Sequence, residues 1–62
     1  MKYAIKLNLM YLSYFNKIND DTADTEFSRN KSDAFVVDST NKAQEIIDFL
    51  GYPEDMMTIV VL

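Results

Sequence analysis

Ser39 to Pro53 carries the full punctuation of an α-helix, and that single helix dictates most of what the chain can build. Ser39 is a good N-cap, and Ala43, Ile46, Ile47 and Leu50 follow at i, i+3, i+4 and i+7. Asn41, Glu45 and Asp48 mark the opposite, solvent-facing stripe. Gly51 supplies the left-handed residue that ends a helix, Tyr52 can close back over the last turn, and Pro53 forbids continuation. The spacing therefore predicts one helix over about residues 40–50. A lone helix covers one face of a sheet and no more, so the remaining chain must supply that sheet.

Lys2 to Leu7 alternates, with Tyr3, Ile5 and Leu7 on one face and Lys2, Ala4 and Lys6 on the other, as in a half-buried strand. Tyr11 to Phe15 is a second run rich in β-forming aromatic residues. The two read as a hairpin with Leu9 and Met10 at its tip, although Asn8-Leu9-Met10 lacks the favoured Asn-Gly pair. One long strand through Phe15 is the alternative. Asn16 to Ser32 is the longest polar stretch, either a long loop pinned by Phe27 or a loop holding a short irregular strand near Thr25 to Ser28. Asp33 to Val37 reads as a further strand, with Phe35 and Val37 opposite Ala34 and Val36. Met56 to Leu62 is apolar on both faces, the pattern of a strand in the middle of a sheet. The expected fold is α+β: a small antiparallel sheet of about four strands with one helix packed on one face, residues 1–62 forming a single domain.

Composition narrows function mainly by exclusion. Hydrophobic residues at 48% and charged residues at 26% suit a folded chain rather than a disordered one. With no cysteine there are no disulfides and no thiolate metal sites; with no histidine the usual general base is missing. A single glycine cannot build a glycine-rich phosphate cradle. Asp33, Asp38 and Asp48 remain as carboxylates for acid–base work, but a pocket of ~300 Å³ is not expected in so short a chain. No catalytic residue, metal site or cofactor is therefore assigned. Lys6 and Asn8 interrupt any apolar leader, and no run approaches the ~20 apolar residues of a membrane span. The chain is expected in the cytoplasm, away from membranes.

Charge is unevenly divided. Residues 1–18 hold Lys2, Lys6 and Lys17 and no acid, whereas residues 19–62 hold all ten acids against Arg29, Lys31 and Lys42, giving +3 and −7. Duplex nucleic acid needs a cationic surface, so direct binding to it is not expected. Asp20, Asp21, Asp24 and Glu26 fall within seven residues, supplemented by Asp33, Glu54 and Asp55. Counted from Asp20 as a calcium loop, the sixth and twelfth positions hold Thr25 and Lys31 where Gly and Glu are needed. As phosphate imitators the same carboxylates can accept charge-assisted hydrogen bonds from an Arg- and Lys-lined groove. As plain loop residues they would simply be solvated. Tyr3, Tyr11, Tyr14 and Tyr52 offer stacking faces for single-stranded nucleic acid, with only Lys2, Lys6 and Lys17 to supply a basic groove.

Taken together, Tyr3-Ala4-Ile5-Lys6-Leu7, Tyr11-Leu12-Ser13, Ala34 to Ser39, Ala43-Gln44-Glu45-Ile46-Ile47, Leu50-Gly51 and Thr58-Ile59-Val60-Val61 make a pattern. It resembles short ββ–βαβ proteins encoded by phages and prophages of low-GC Gram-positive bacteria. The chain departs from them at Asn8-Leu9-Met10 and in its enlarged acidic segment. Small acidic proteins of this kind include anti-CRISPR inhibitors, and the resemblance implies a non-enzymatic role against a host defence or nucleic-acid enzyme. The expected partner is a host protein with a basic groove, a nuclease such as Cas9 or a polymerase. Asp20, Asp21, Asp24 and Glu26 would make the contact, extended by Leu9 and Met10. The alternative is a small structural or assembly module that homodimerises through its uncovered sheet face or an edge strand.

Overall fold

Four antiparallel strands and one helix make up the computed structural model, which describes residues 1–62, the side chain of Glu54 excepted. The strands are β1 (Tyr3–Leu7), β2 (Met10–Lys17), β3 (Ala23–Ser28) and β4 (Met57–Val61), in the spatial order β3-β2-β1-β4. The helix α1 spans Thr40–Leu50. The α+β architecture read from the sequence is the one observed.

The hairpin is tight: Leu7 pairs with Met10, leaving Asn8 and Leu9 as the turn. Asn8 has φ 55°, the only positive value outside glycine among the described residues, and asparagine is among the few side chains that tolerate it. Helix α1 begins and ends as its sequence dictates. Ser39 Oγ accepts from the Lys42 backbone N–H at 3.2 Å, and Gly51 adopts φ 72° while its N–H donates to the Ile47 carbonyl. Tyr52 stays 42% exposed.

Tyr3, Ile5 and Leu7 turn one face of β1 toward α1, where they meet Ala43, Ile46 and Ile47 together with Leu12, Val37 and Met57. Ile5 and Leu12 are fully buried. Phe15 stacks edge-on against Phe35 and Phe49, with ring centroids 6.4 and 5.8 Å apart, which carries the core out beneath β2.

Three sequence expectations change. Met56–Leu62 does not run through the middle of the sheet: β4 is an edge strand, paired only with β1. Its core face, Met57 and Ile59, packs on the central cluster, while Val61 and Leu62 remain 53% and 42% exposed. β1, paired on both sides, takes the centre. Residues 33–37 do not form a ladder strand either. Lys31–Asp33 is a 3-10 turn, and an extended segment follows in which only Val37 makes a β-bridge, to Tyr3. The reason lies in β1 and β2, which pair at Lys6↔Tyr11 and Leu7↔Met10 and then part. The segment wedges into that gap: Phe35 N–H donates to the Leu12 carbonyl at 2.7 Å, and Tyr3 and Val37 exchange two bonds at 2.8 and 2.9 Å. Finally, the polar stretch holds a regular strand. β3 covers six residues, Ala23–Ser28, beginning two residues before the short strand considered from sequence. Phe27 pins it to the core as expected.

Candidate functional site

The β2–β3 hairpin positions the acidic residues. Its turn is closed by Ile18 and Asn19 N–H groups, both donating to the Thr22 carbonyl, and by the Asp21 N–H donating to Asn19 Oδ1 at 2.8 Å. With its polar backbone satisfied by neighbours, the turn leaves Asp20 and Asp21 pointing into solvent. Along β3 the period of two does the rest. Thr25 and Phe27 face inward beside Phe15 and Leu12, so Asp24 and Glu26 share the outward face, opposite Asn16 and Tyr14. Their α-carbons are about 7 Å apart along the strand. All four carboxylates are exposed. Among the described residues, the one cation near them is Lys17, 3.9 Å from Asp20, and its ammonium also sits 5.1 Å from the Phe49 ring. β3 is also an edge strand, so this negative edge presents free backbone donors and acceptors.

Leu9, 75% exposed, lies in the turn as expected, whereas Met10, 36% exposed, is not at the tip but opens β2, where it pairs with Leu7. They lie at the other end of β2 from Asp20 and Asp21, about 25 Å of strand away. The structure therefore gathers the four acids along one hairpin and sets the two apolar residues apart from them. The remaining acids are dispersed. Asp33 accepts from Ser28 Oγ at 2.8 Å and closes the end of β3; Asp48 accepts from Gln44 Nε2 at 2.9 Å on the helix. Asp55 is exposed, and the Glu54 side chain lies outside the described residues. Among the described residues no three carboxylates come close enough to hold a metal ion.

Asp38 pairs with Lys42 across one turn at 3.2 Å. The hydrogen bond from Lys42, followed by its charge, holds the Asp38 carboxyl below the usual carboxylate range. A depressed pKa stabilises the fold above the carboxyl's unfolded value, and that contribution disappears as pH falls through the folded one. Lys42→Met is expected to return the Asp38 titration upward toward an ordinary aspartate, read by carboxyl NMR shifts, with little change in stability at neutral pH because both groups are exposed. A titration unchanged by Lys42→Met would rule out the pair as its cause.

The face of the sheet turned away from α1 was only partly legible in the sequence. The alternation of β1 puts Ala4 and Lys6 there, whereas Lys2, which precedes the strand, borders a groove with α1. Register adds Val60, which pairs with Ala4, and Tyr11 and Tyr14 from β2. Val36, 46% exposed, points away from the buried Val37, as the alternation of residues 33–37 indicated. Tyr3 packs on the core side and Tyr52 follows the helix, so the four tyrosines form no common stacking platform.

Two open grooves exceed the size expected of so short a chain. One, of about 510 Å³, runs between Lys2 and Val36 on one side and Lys42 and Glu45 on the other. The second, about 520 Å³, lies between Gln44 and Ile47 of α1 and Met57 to Ile59 of β4. They flank α1 because one helix, about 10 Å across, does not roof the full width of the sheet. Among the described residues no helix is long and apolar enough to cross a membrane. Comparison with protein-family models, curated proteins and solved structures gives no match to this chain.

Proposed function

We propose that this protein is a non-enzymatic inhibitor from a phage or mobile element that acts in the host cytoplasm. It binds the basic nucleic-acid groove of a host enzyme, a Cas9-type nuclease or a polymerase. The observation that carries this reading is the placement of Asp20, Asp21, Asp24 and Glu26 on one exposed edge hairpin with little cationic compensation. Guanidinium and ammonium groups that normally hold phosphates can hold these carboxylates by charge-assisted hydrogen bonds. A Cas9-type enzyme reads its PAM with arginines in a groove, which an acidic strand edge can enter. The field of the hairpin speeds encounter and makes the association sensitive to salt.

The test is capture of partners from lysate of a low-GC Gram-positive host, beside a variant carrying Asp20→Asn, Asp21→Asn, Asp24→Asn and Glu26→Gln. The wild type is expected to retain a nuclease or polymerase at low salt and release it at high salt, while the variant retains none. With the captured enzyme purified, affinity should fall more than about tenfold on neutralisation. Equal affinity of the two proteins would overturn the proposal.

A further inference from the structure

The hydrogen bonds of β4 to β1 determine which of its backbone groups face outward. The Leu62 N–H donates to the Lys2 carbonyl and the Asn8 N–H to the Met56 carbonyl, one bond at each end of the ladder. Bonded and unbonded pairs alternate along an antiparallel ladder, so Thr58 and Val60 also turn their backbone groups toward β1. Met57, Ile59 and Val61 turn theirs to the open edge, where nothing among the described residues bonds to them. The opposite edge of the sheet, β3, carries Asp24 and Glu26, but β4 has no charge, proline or bulge to keep another strand away. Beside this edge runs the groove between Gln44 and Ile47 of α1 and Met57 to Ile59. Val61, on the same face as Met57 and Ile59, is half-exposed.

We propose that β4 pairs antiparallel with β4 of a second copy, about a two-fold axis that passes through the sheet at Ile59. In that register Ile59 faces Ile59 and Met57 faces Val61, so each outward donor meets an outward acceptor of the other strand. Moving the axis to Thr58 or Val60 leaves an outward residue of each strand without a partner. The side chains agree with the backbone. Each Val61 comes to lie beside Met57 of the other copy, at the mouth of the groove next to Ile47. With α1 above β1, the two helices stand about three strand spacings apart, near 14 Å, and the apolar side chains of the paired strands occupy the space between them. The occupant is a second copy because one strand supplies both the groove and the side chain that fits it, the condition for an isologous contact. A charged extended segment would find no counter-charge on β4. Two β3 edges, by contrast, would bring like charges together. The dimer is one continuous sheet with an acidic hairpin at each end, the two β3 strands about 34 Å apart. It uses none of the four acids and does not rest on the inhibitor reading. An edge only about 17 Å long makes a small interface, so a Kd of roughly 10–300 μM is expected.

Sedimentation of the chain from about 10 μM to about 1 mM reads the equilibrium directly. The wild type is expected to pass from monomer to dimer, with less than about twofold change in Kd between about 0.1 and 0.5 M salt, because no charges are paired. A synthetic chain with a methyl group on the Ile59 nitrogen keeps every side chain and every bond to β1, yet should dimerise at least about tenfold more weakly. Val61→Lys, which sets a charge in the contact, should do the same. The variant with Asp20→Asn, Asp21→Asn, Asp24→Asn and Glu26→Gln should dimerise like the wild type. Amide exchange gives the register: Met57, Ile59 and Val61 should slow about threefold or more over that concentration range, while Thr58 and Val60 are protected throughout. A chain monomeric at about 1 mM, a dimer lost on adding salt, or one indifferent to both edge changes would overturn the proposal. Should either altered chain fail to fold, exchange in the wild type decides. Protection of Ile59 that grows with concentration supports the pairing. Protection that appears at β3 instead, or at Ile59 only when another protein is added, overturns it.

Discussion

Ile5→Ala is expected to remove about 2–5 kcal/mol of folding free energy, the usual cost of emptying a fully enclosed aliphatic site. A domain of 62 residues holds only about 3–9 kcal/mol in total. The variant should therefore be substantially unfolded near room temperature, or melt well below the wild type, by far-ultraviolet circular dichroism in a urea series. Ile5 lies on the central strand beneath α1 and is fully buried, and a chain this small has few neighbours able to close over the space. Leu9→Ala provides the contrast. Its side chain is 75% exposed at the hairpin tip, so stability should move by less than about 0.5 kcal/mol. A loss below about 1 kcal/mol at Ile5 would mean that the core is not centred where β1 crosses the helix.

Val37→Pro should cost nearly as much by a different route. Val37 is the bridge residue of the segment wedged between β1 and β2, and its N–H donates to the Tyr3 carbonyl at 2.9 Å. Proline removes that donor and strands a carbonyl, at about 1–3 kcal/mol for a group shielded from water. It also alters packing at a side chain only 8% exposed. Val37→Ala keeps the N–H and loses two methyl groups, about 1.5 kcal/mol. The Pro variant should be at least about 1 kcal/mol less stable than the Ala variant in the same urea series. Equal stabilities would show that the wedge is held by its side chains and not by its backbone.

Local chemistry wrote the helix and the first hairpin plainly. Ser39 and Gly51 fix the ends of α1 by hydrogen bonds within a few residues of themselves, and the alternation from Tyr3 to Leu7 fixes the face of β1. What the sequence left open were choices of neighbour. A two-residue period says which way a side chain points but not which strand lies alongside. β4 is apolar on both sides and so resembles a central strand, yet Val61 and Leu62 are left half-exposed at the edge because β1 fills the centre. Phe35 and Val37 show the correct alternation, but their partner is a gap that opens only when β1 and β2 diverge. In β3 the sequence Ala23-Asp24-Thr25-Glu26-Phe27 already alternates, masked by the weak β propensity of its acids. The four acids were therefore identifiable as exposed. That Asp24 and Glu26 share a face, and that Leu9 and Met10 stand at the far end of β2, follows only from the strand.

The sheet order also sets a sequence of events. Partners between β1 and β2 are three to five residues apart in the chain, and those between β2 and β3 six to seventeen. Partners between β1 and β4 are fifty to fifty-eight apart. Closing so long a loop costs about 2 kcal/mol more than closing a tight hairpin, so β1, β2 and β3 can meander together first while β4 docks late. Until it docks, the central strand has one bare flank and Met57–Val61, which carries no charge, is a sticky segment in search of any strand. How long a newly made chain waits in that state, more than the strength of the finished fold, governs how much of it is lost to aggregates.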